Sequence, residues 1–273
     1  MNRLLNALGA NAVLVLFTII SIAPVYLLFV TSLKSQGELI ASVFALPEDP
    51  RWHNYGLVLV DRGYYQAVLN SLLVSGAVTG LTIILSATAA FAFAVYDFAG
   101  KQVLFVLVLV GLMVSEVSIL IPVYNLLKDW GLLNSYVGMI LPLIALGLSF
   151  GIFLMTTFMR EVPRDLLDAA RLDGCNDLQI LIRIIVPVSL PGIGALAVIE
   201  FLWAWNSFFL PLVIATRQDL MPLSVSVIDF MGRFTFNYEL VATTCVIMFV
   251  PILLLYIVTQ RSFRRGVTMG AIK

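Results

Sequence analysis

Six long stretches of this 273-residue chain contain almost no charged side chains. These apolar spans lie near residues 11–32, 70–95, 103–125, 137–158, 192–214 and 240–260. Each is long enough to cross the ~30 Å hydrocarbon layer of a bilayer as an α-helix, which rises ~1.5 Å per residue. Because an unpaired backbone N–H or C=O is very costly in lipid, we expect each span to be helical. The sequence therefore predicts an all-α, polytopic membrane protein with six transmembrane helices.

The composition excludes an ordinary soluble domain. Apolar residues make up 61% of the chain and charged residues 12%, whereas soluble domains average roughly 45–50% and 25%. The 16 basic and 16 acidic residues give a net charge of +0, so we do not expect nucleic acid as a partner. Cys175 and Cys245 have no Cys-x-x-Cys partner and no neighbouring histidine. The sequence therefore predicts no metal site.

The distribution of Lys and Arg predicts the orientation. With a cytoplasmic N-terminus, ten basic residues lie inside and six lie outside. The inner ones are Arg3, Lys101, Arg160, Arg164, Arg171, Arg183, Arg261, Arg264, Arg265 and Lys273. The outer ones are Lys34, Arg51, Arg62, Lys128, Arg217 and Arg233. Because basic residues favour the cytoplasmic side of membrane proteins, this bias predicts that both termini are cytoplasmic.

Residues 159–191, between the fourth and fifth spans, concentrate charge in an otherwise apolar chain. Pro163 suits the first position of a helix, and Gly174 stands where a left-handed residue would end that helix. Asn176 and Gln179 form a capping box at the start of a second helix, which we expect to stop at Pro187. The segment is therefore predicted to be two helices joined at a glycine corner.

This segment has two interpretations from the residues alone. It could be a connector whose charges hold it in water at the membrane surface. It could instead be a docking element for a soluble partner, because the small pair Ala169-Ala170 beside Gly174 allows close backbone approach.

Several motifs resemble a known family. The run Asp168-Ala169-Ala170, then Asp173-Gly174, then Ile184 through Val186-Pro187 resembles the Glu-Ala-Ala loop of binding-protein-dependent ABC importer permeases, with Asp168 for the usual Glu and Val186 for the usual Leu. Other segments are similar to the smaller, maltose-type permease of carbohydrate importers. These segments are Pro24 to Lys34, Ile121 to Tyr124, Gly131 to Ser135, Trp205 to Phe208 and Gln260 to Lys273.

The resemblance implies a fold and a division of the chain. The fold would be the MetI-like permease fold, with a cytoplasmic coupling helix between the fourth and fifth membrane helices. Residues 1–273 would form a single permease domain, with a five-helix core over 69–261 and the coupling loop over 162–187. The chain would lie in the plasma (inner) membrane of a prokaryote.

The resemblance also implies a mechanism and partners. The coupling loop would sit on a dimer of ATPase subunits, which would bind ATP and magnesium, while this chain would hold no cofactor and would not itself be an enzyme. No Gly-x4-Gly-Lys-Ser/Thr phosphate loop occurs in the sequence. A second, homologous permease and an extracytoplasmic solute-binding protein would complete the importer. The implied coupling residues are Asp168, Ala169, Ala170, Asp173, Gly174 and Pro187, and the implied ATPase-contacting tail residues are Arg264, Gly270 and Lys273.

Two carboxylates lie within the predicted spans: Glu116 in the third and Glu200 in the fifth. A charged side chain at a helix centre costs ~2.5–3.5 kcal/mol, so each should face protein or water. Trp203, Asn206 and Ser207 share the fifth span. Carboxylates, amides and aromatic rings suit the binding of a sugar, and these five residues are candidates for the substrate path. The alternative is that they join helices together through polar contacts.

Three other functions compete with a sugar importer. An ion-coupled secondary transporter usually shows internal repeats, and none is evident in this sequence. An ABC importer permease for a non-sugar solute, such as glycerol phosphate, would have the same motifs. A membrane hydrolase could use Ser149, which lies in the Gly-x-Ser-x-Gly pattern at 147–151. That chemistry needs a nearby base, and the only histidine is His53 in a predicted loop. The alternative is that Gly147 and Gly151 make a close helix contact.

Overall fold

We analysed a computed structural model that describes residues 2–230 and 236–270. The regular elements of these residues are all helical, which confirms the predicted all-α class. The chain divides into two compact units, one of residues 1–65 and 226–251 and the other of residues 66–225 and 252–273. The helices used below are α1 (Asn2–Ser32), α2 (Gln36–Ala41), α3 (Tyr64–Val95), α4 (Lys101–Val110), α5 (Leu120–Asp129), α6 (Tyr136–Met159), α7 (Arg164–Leu172), α8 (Asp177–Val188), α9 (Leu190–Asn206), α10 (Phe209–Ile214) and α11 (Tyr238–Gly270).

Within the described residues, four helices are each long and apolar enough to cross a membrane unbroken. They cover Val13–Ser32, Tyr64–Val95, Tyr136–Met159 and Tyr238–Ile257. These ranges match the first, second, fourth and sixth spans expected from the sequence. In lipid, a continuous helix is the lowest-energy state for such long apolar runs, because it pairs every backbone N–H and C=O within the segment.

The third and fifth predicted spans are each divided, which corrects the expectation of one continuous helix in each. α4 ends in a 3₁₀ turn, Gly111–Met113, and the chain becomes extended at Val114 before α5 begins. In the fifth span, α9 ends at Asn206, and Ser207 is extended before α10 begins. A break within lipid is tolerated only where other groups pair the freed backbone atoms.

The first unit is built around the loop that follows α1. Ser35 and Glu38 form a capping box at the start of α2. Lys34 is buried, and its Nζ donates to the carbonyl oxygens of Ser42 at 2.9 Å and Val43 at 3.0 Å. The Asn54 side chain donates to the Ser32 carbonyl oxygen at 2.8 Å. These hydrogen bonds from side chains to the backbone fix an irregular segment outside the regular hydrogen bonding of a helix.

The second unit has two hydrophobic clusters. One contains Met155, Ile180, Ile185 and Leu196, all fully buried, and joins α6 to α8 and α9. The other contains Val78, Met139, Leu210 and Ile214 and joins α3, α6 and α10. α9 packs against α6, so polar side chains on these two helices are held at fixed positions between the clusters.

Candidate functional site

A cavity of about 220 Å³ lies in the second unit, beside both broken spans. Its lining includes four of the five residues that the sequence singled out for a substrate path. They are Glu116, Glu200, Trp203 and Ser207. Asn206 does not line the cavity, and its Nδ2 donates to the Leu202 carbonyl oxygen at 2.8 Å.

Glu200 lies on α9 and is 2% exposed. Its Oε1 atom has no hydrogen-bond partner within the described part of the chain. Gly147 of α6 faces the same carboxylate, and a Cβ built there would lie 3.0 Å from the Glu200 carboxyl carbon. Gly147 therefore makes the space that Glu200 occupies. An orphan buried carboxylate oxygen beside a cavity is available for a ligand.

Glu116 lies in the break between α4 and α5. Its Oε1 accepts a hydrogen bond from the Ser207 hydroxyl at 3.1 Å and one from the Leu210 backbone N–H at 2.9 Å. The carboxylate thus pairs groups that the break in the fifth span leaves free. The sequence identified Glu116 as an intramembrane acid, and the structure adds that it joins the two breaks.

The aromatic wall of the cavity is the Trp203 indole. Its ring lies 5.2 Å from the Phe150 ring, centroid to centroid, and the side chain is 54% exposed. An indole packed at a tilt against a second ring can offer an apolar surface to a bound molecule. With two carboxylates and one hydroxyl, the wall has the mixed character of a small-molecule site.

The sequence did not identify Gly147 as part of this site. It marked Gly147 only as one end of the Gly-x-Ser-x-Gly pattern or as a point of close helix contact. The contact exists, but its partner is a carboxylate 53 positions away in the chain. No local signal reveals a partner at that distance, although a glycine in an apolar helix already indicated a close neighbour.

The segment between α6 and α9 has the predicted corner. Gly174 has a φ of +81°, and the Cys175 N–H donates to the Ala170 carbonyl oxygen at 3.0 Å, which closes the end of α7. Asn176 and Gln179 form the predicted capping box at the start of α8. α8 runs through Pro187 to Val188, one residue beyond the predicted stop, and meets α9 at an angle of 80°.

The implied coupling residues differ in their exposure to solvent. Ala170 is buried with Leu167 against the hydrophobic cluster of α6, α8 and α9. Asp168, Ala169, Asp173 and Pro187 are exposed. Leu172, which the sequence did not single out, is 90% exposed. A large apolar side chain left in solvent on a short, charged helix indicates a contact surface.

Charged contacts connect the corner to the ends of α3 and α4. A hydrogen bond to the Asp177 carboxylate raises the pKa of the Tyr96 hydroxyl, and burial adds to that rise. A hydrogen bond from Lys101, together with its charge, lowers the pKa of Asp97. The lowered pKa keeps Asp97 ionised at neutral pH, where it accepts the hydrogen bond from Lys101.

The implied tail residues are at the end of α11. Arg264 and Gly270 belong to this helix, whereas Lys273 lies outside the described residues. The described residues contain no group of three or more His, Cys, Asp or Glu side chains placed to hold a metal ion.

Comparison with known proteins gives consistent results. Residues 63–269 match the family described as "Binding-protein-dependent transport system inner membrane component". The chain is 31% identical to the diacetylchitobiose uptake system permease protein NgcG of Streptomyces coelicolor, over 97% of this chain and 88% of that protein. It is 30% identical to the arabinooligosaccharides transport system permease protein AraQ of Bacillus subtilis, over 94% and 92%. Its fold is similar to a chain of a bacterial ABC transporter involved in the import of the acidic polysaccharide alginate, with a TM-score of 0.81, 23% identity and coverage of 96% and 97%.

Proposed function

This chain belongs to the family of inner-membrane components of binding-protein-dependent transport systems, and on that basis we propose that it carries a sugar across the membrane as the permease subunit of an ATP-driven importer. Members of this family are multi-pass membrane permeases and not enzymes. The sugar is an oligosaccharide or a related polyol, delivered by an extracytoplasmic solute-binding protein.

The observation that carries the sugar assignment is the similarity to NgcG and AraQ along nearly the whole chain. The names of these relatives refer to diacetylchitobiose and arabinooligosaccharides. The cavity beside the broken spans supports the same class, because Glu116 and Glu200 can accept hydrogen bonds from hydroxyls and Trp203 can pack against the C–H face of a sugar ring.

A phosphorylated polyol is a poorer fit to this cavity. Its described lining contains two glutamates and no Lys, Arg or His. A phosphate group in this cavity would meet two acidic side chains and no basic side chain to pair with its charge. An ion-coupled secondary transporter is not supported by membership in a binding-protein-dependent family.

We propose that α7 is the coupling helix and docks on the ATPase subunits. On a helix with 3.6 residues per turn, Asp165, Ala169 and Leu172 share one exposed face, and this is the face that would enter the ATPase. Ala170 acts on the opposite side, where it anchors α7 to the membrane helices. The rigid corner at Gly174 would transmit movement of α7 to α8 and α9.

The remaining partners follow from the family. A second, homologous permease would complete the pathway, and a dimer of ATPase subunits would bind ATP and magnesium. Arg264, Gly270 and Lys273 would add contacts to that dimer. Both termini and α7 would lie in the cytoplasm, consistent with the Lys/Arg bias. The permease core would extend over 69–261, with the coupling loop over 162–187.

The test is to produce this chain with the proteins encoded beside its gene and to replace Ala169 by Trp. Because Ala169 is exposed, the variant should fold and enter the membrane. We expect it to lose both the co-purifying ATPase subunit and sugar uptake. Ala45→Trp is the matched control, since Ala45 is also exposed but lies in the loop after α2. An Ala169→Trp variant that keeps its ATPase and its uptake would contradict the proposal.

A further inference from the structure

A second cavity, of about 410 Å³, lies where α7 meets the ends of α3, α4 and α6. We call it the basic pocket. Four basic side chains line it: Lys101, Arg160, Arg164 and Arg171. The other lining residues are Ala94, Val95, Met159, Val162, Leu167 and Asp168. The pocket therefore combines an apolar floor with a concentration of positive charge.

The acidic side chains near the basic pocket neutralise only part of this charge. Lys101 is well paired, since its Nζ lies 2.9 Å from Asp97 Oδ1. Arg164 lies 3.8 Å from the other oxygen of Asp97, and Arg171 lies 3.6 Å from Asp168. These two distances exceed those of a good charge-assisted hydrogen bond. The Arg171 side chain also hydrogen-bonds to the Tyr96 hydroxyl, which lies beside Asp177. Among the described residues, no ion pair includes Arg160.

The apolar surface beside the pocket continues along α4. The Arg160 guanidinium lies 5.5 Å from the centroid of the Phe105 ring. Val103, Leu104 and Leu107 of the same helix are largely exposed. α4 is too short to cross a bilayer alone, and a short apolar helix with exposed side chains suits the membrane interface. We therefore place the pocket at the level where lipid headgroups meet the acyl chains.

The pocket and the proposed ATPase-facing surface use different sides of α7. Arg164, Asp168 and Arg171 recur at intervals of four and three residues and share one side of the helix. Asp165, Ala169 and Leu172 repeat the same spacing one position later and face outward. A ligand in the basic pocket would therefore not occupy the face assigned to the ATPase.

We propose that the basic pocket binds the phosphate group of an anionic phospholipid, with Arg160 and Arg171 as its principal partners and with the acyl chains along α4. Basic pockets between membrane helices on the cytoplasmic side suit anionic headgroups. The bound phosphate offsets the repulsion among the arginines at the end of α6 and on α7. The lipid thereby holds the coupling helix against the membrane helices, whatever solute is carried.

The experiment uses the complete transporter, purified with its partner subunits in neutral detergent. Binding of phosphatidylglycerol is measured by native mass spectrometry during a lipid titration. Removal of the Arg160 charge in Arg160→Gln should weaken binding about fivefold, from the contribution of one basic side chain near the membrane surface. Arg160→Lys keeps the charge and should retain most of the binding, which separates loss of charge from misfolding.

Arg183→Gln is the matched control, because Arg183 is an exposed arginine on α8 outside the pocket. It should bind phosphatidylglycerol as the unsubstituted transporter does. Equal weakening in Arg160→Gln and Arg183→Gln would show general surface attraction and overturn the site. Displacement of the lipid by an equal concentration of inorganic phosphate would show that free phosphate is the ligand, and would overturn the lipid assignment. None of these outcomes depends on which sugar is transported.

Discussion

Glu116 and Leu210 are 94 positions apart and joined by a hydrogen bond of 2.9 Å from the Leu210 N–H to the Glu116 carboxylate. The bond connects the break in the third span to the restart of the fifth. Each break alone would leave backbone groups unpaired at membrane depth, where that is very costly. The two irregular segments are therefore mutually dependent, and the cavity lies beside them.

Glu116→Ala is expected to destabilise the transporter. The substitution leaves the Leu210 N–H and the Ser207 hydroxyl without their acceptor, which costs ~1–3 kcal/mol for a buried group. Glu116→Gln keeps a carbonyl oxygen at the same place and should recover most of the stability. Thermal unfolding of the purified complex measures both variants. Equal Tm values for Glu116→Ala and the unsubstituted transporter would show that the bond is not needed.

Gly147→Ala should destabilise the protein by the collision of its Cβ with the Glu200 carboxylate. The carboxylate ends a flexible side chain beside the cavity and can shift, so we expect a cost at or below the lower end of the ~1–3 kcal/mol seen for overpacked cores. The double variant Gly147→Ala/Glu200→Ala lacks the carboxylate that the new Cβ would meet. It should recover part of the lost stability, because the effects of substitutions at contacting residues are not additive. Gly76→Ala is the control, since a Cβ there has no atom within 4 Å. The prediction is wrong if Gly147→Ala and Gly76→Ala have the same thermal stability.

The corner of the proposed coupling loop depends on the backbone of Gly174. Its φ of +81° is unfavourable for any residue with a Cβ, although no atom lies within 4 Å of that position. Gly174→Ala should therefore cost ~1–2 kcal/mol through the backbone alone. We expect weaker coupling, read as less ATPase activity per sugar-loaded binding protein. Gly37→Ala, at a helical position with equal space, should leave coupling unchanged.

The parts of the structure that the sequence predicted are those with local causes. The Asn176–Gln179 cap and the left-handed Gly174 depend on residues within a few positions, so local sequence patterns predict them. The breaks at Val114 and Ser207 were not predicted, because the segments around them are as apolar as a continuous span. Glu116 accepts from the Leu210 N–H, and the Ser224 hydroxyl donates to the Ser207 carbonyl oxygen at 2.7 Å. Both pairings join residues that are distant in the chain, so no local pattern predicts them. The intramembrane charge still marked Glu116 and Glu200 as special before their neighbours were known.

The α2 capping box should respond to acid. Hydrogen bonds from the Ser35 backbone, the Ser35 hydroxyl and the Glu48 backbone lower the pKa of Glu38 to about 2. Because the pKa is lower in the folded state, ionised Glu38 stabilises the loop at pH values above 4.5, the usual pKa of a glutamate. This stabilisation is lost as the pH falls toward 2. Amide hydrogen exchange over residues 35–48, corrected for intrinsic rates, should therefore show opening in this interval.

Glu38→Gln provides the comparison for that measurement. The amide cannot ionise, so its loop should be less protected at neutral pH and should show little further change in acid. Glu161→Gln, a change of the same type at an exposed site beyond α6, should behave as the unsubstituted protein does. If Glu38→Gln retains the full acid response, another group is responsible for it.

Glu200→Gln should reduce transport without loss of assembly. The glutamine has the same shape beside Gly147, so packing is preserved, whereas it replaces one acceptor oxygen by an NH2 group that cannot accept a hydrogen bond from a substrate hydroxyl. Loss of one hydrogen bond costs ~1 kcal/mol, which predicts an initial uptake rate about fivefold lower. Uptake is measured with saturating binding protein, and co-purification of the partner subunits reports assembly. Gln102→Glu, an exposed change of the opposite sense on α4, controls for a general effect of charge. Unchanged uptake in Glu200→Gln would assign Glu200 to packing against Gly147, and the orphan Oε1 would then have no ligand to explain it.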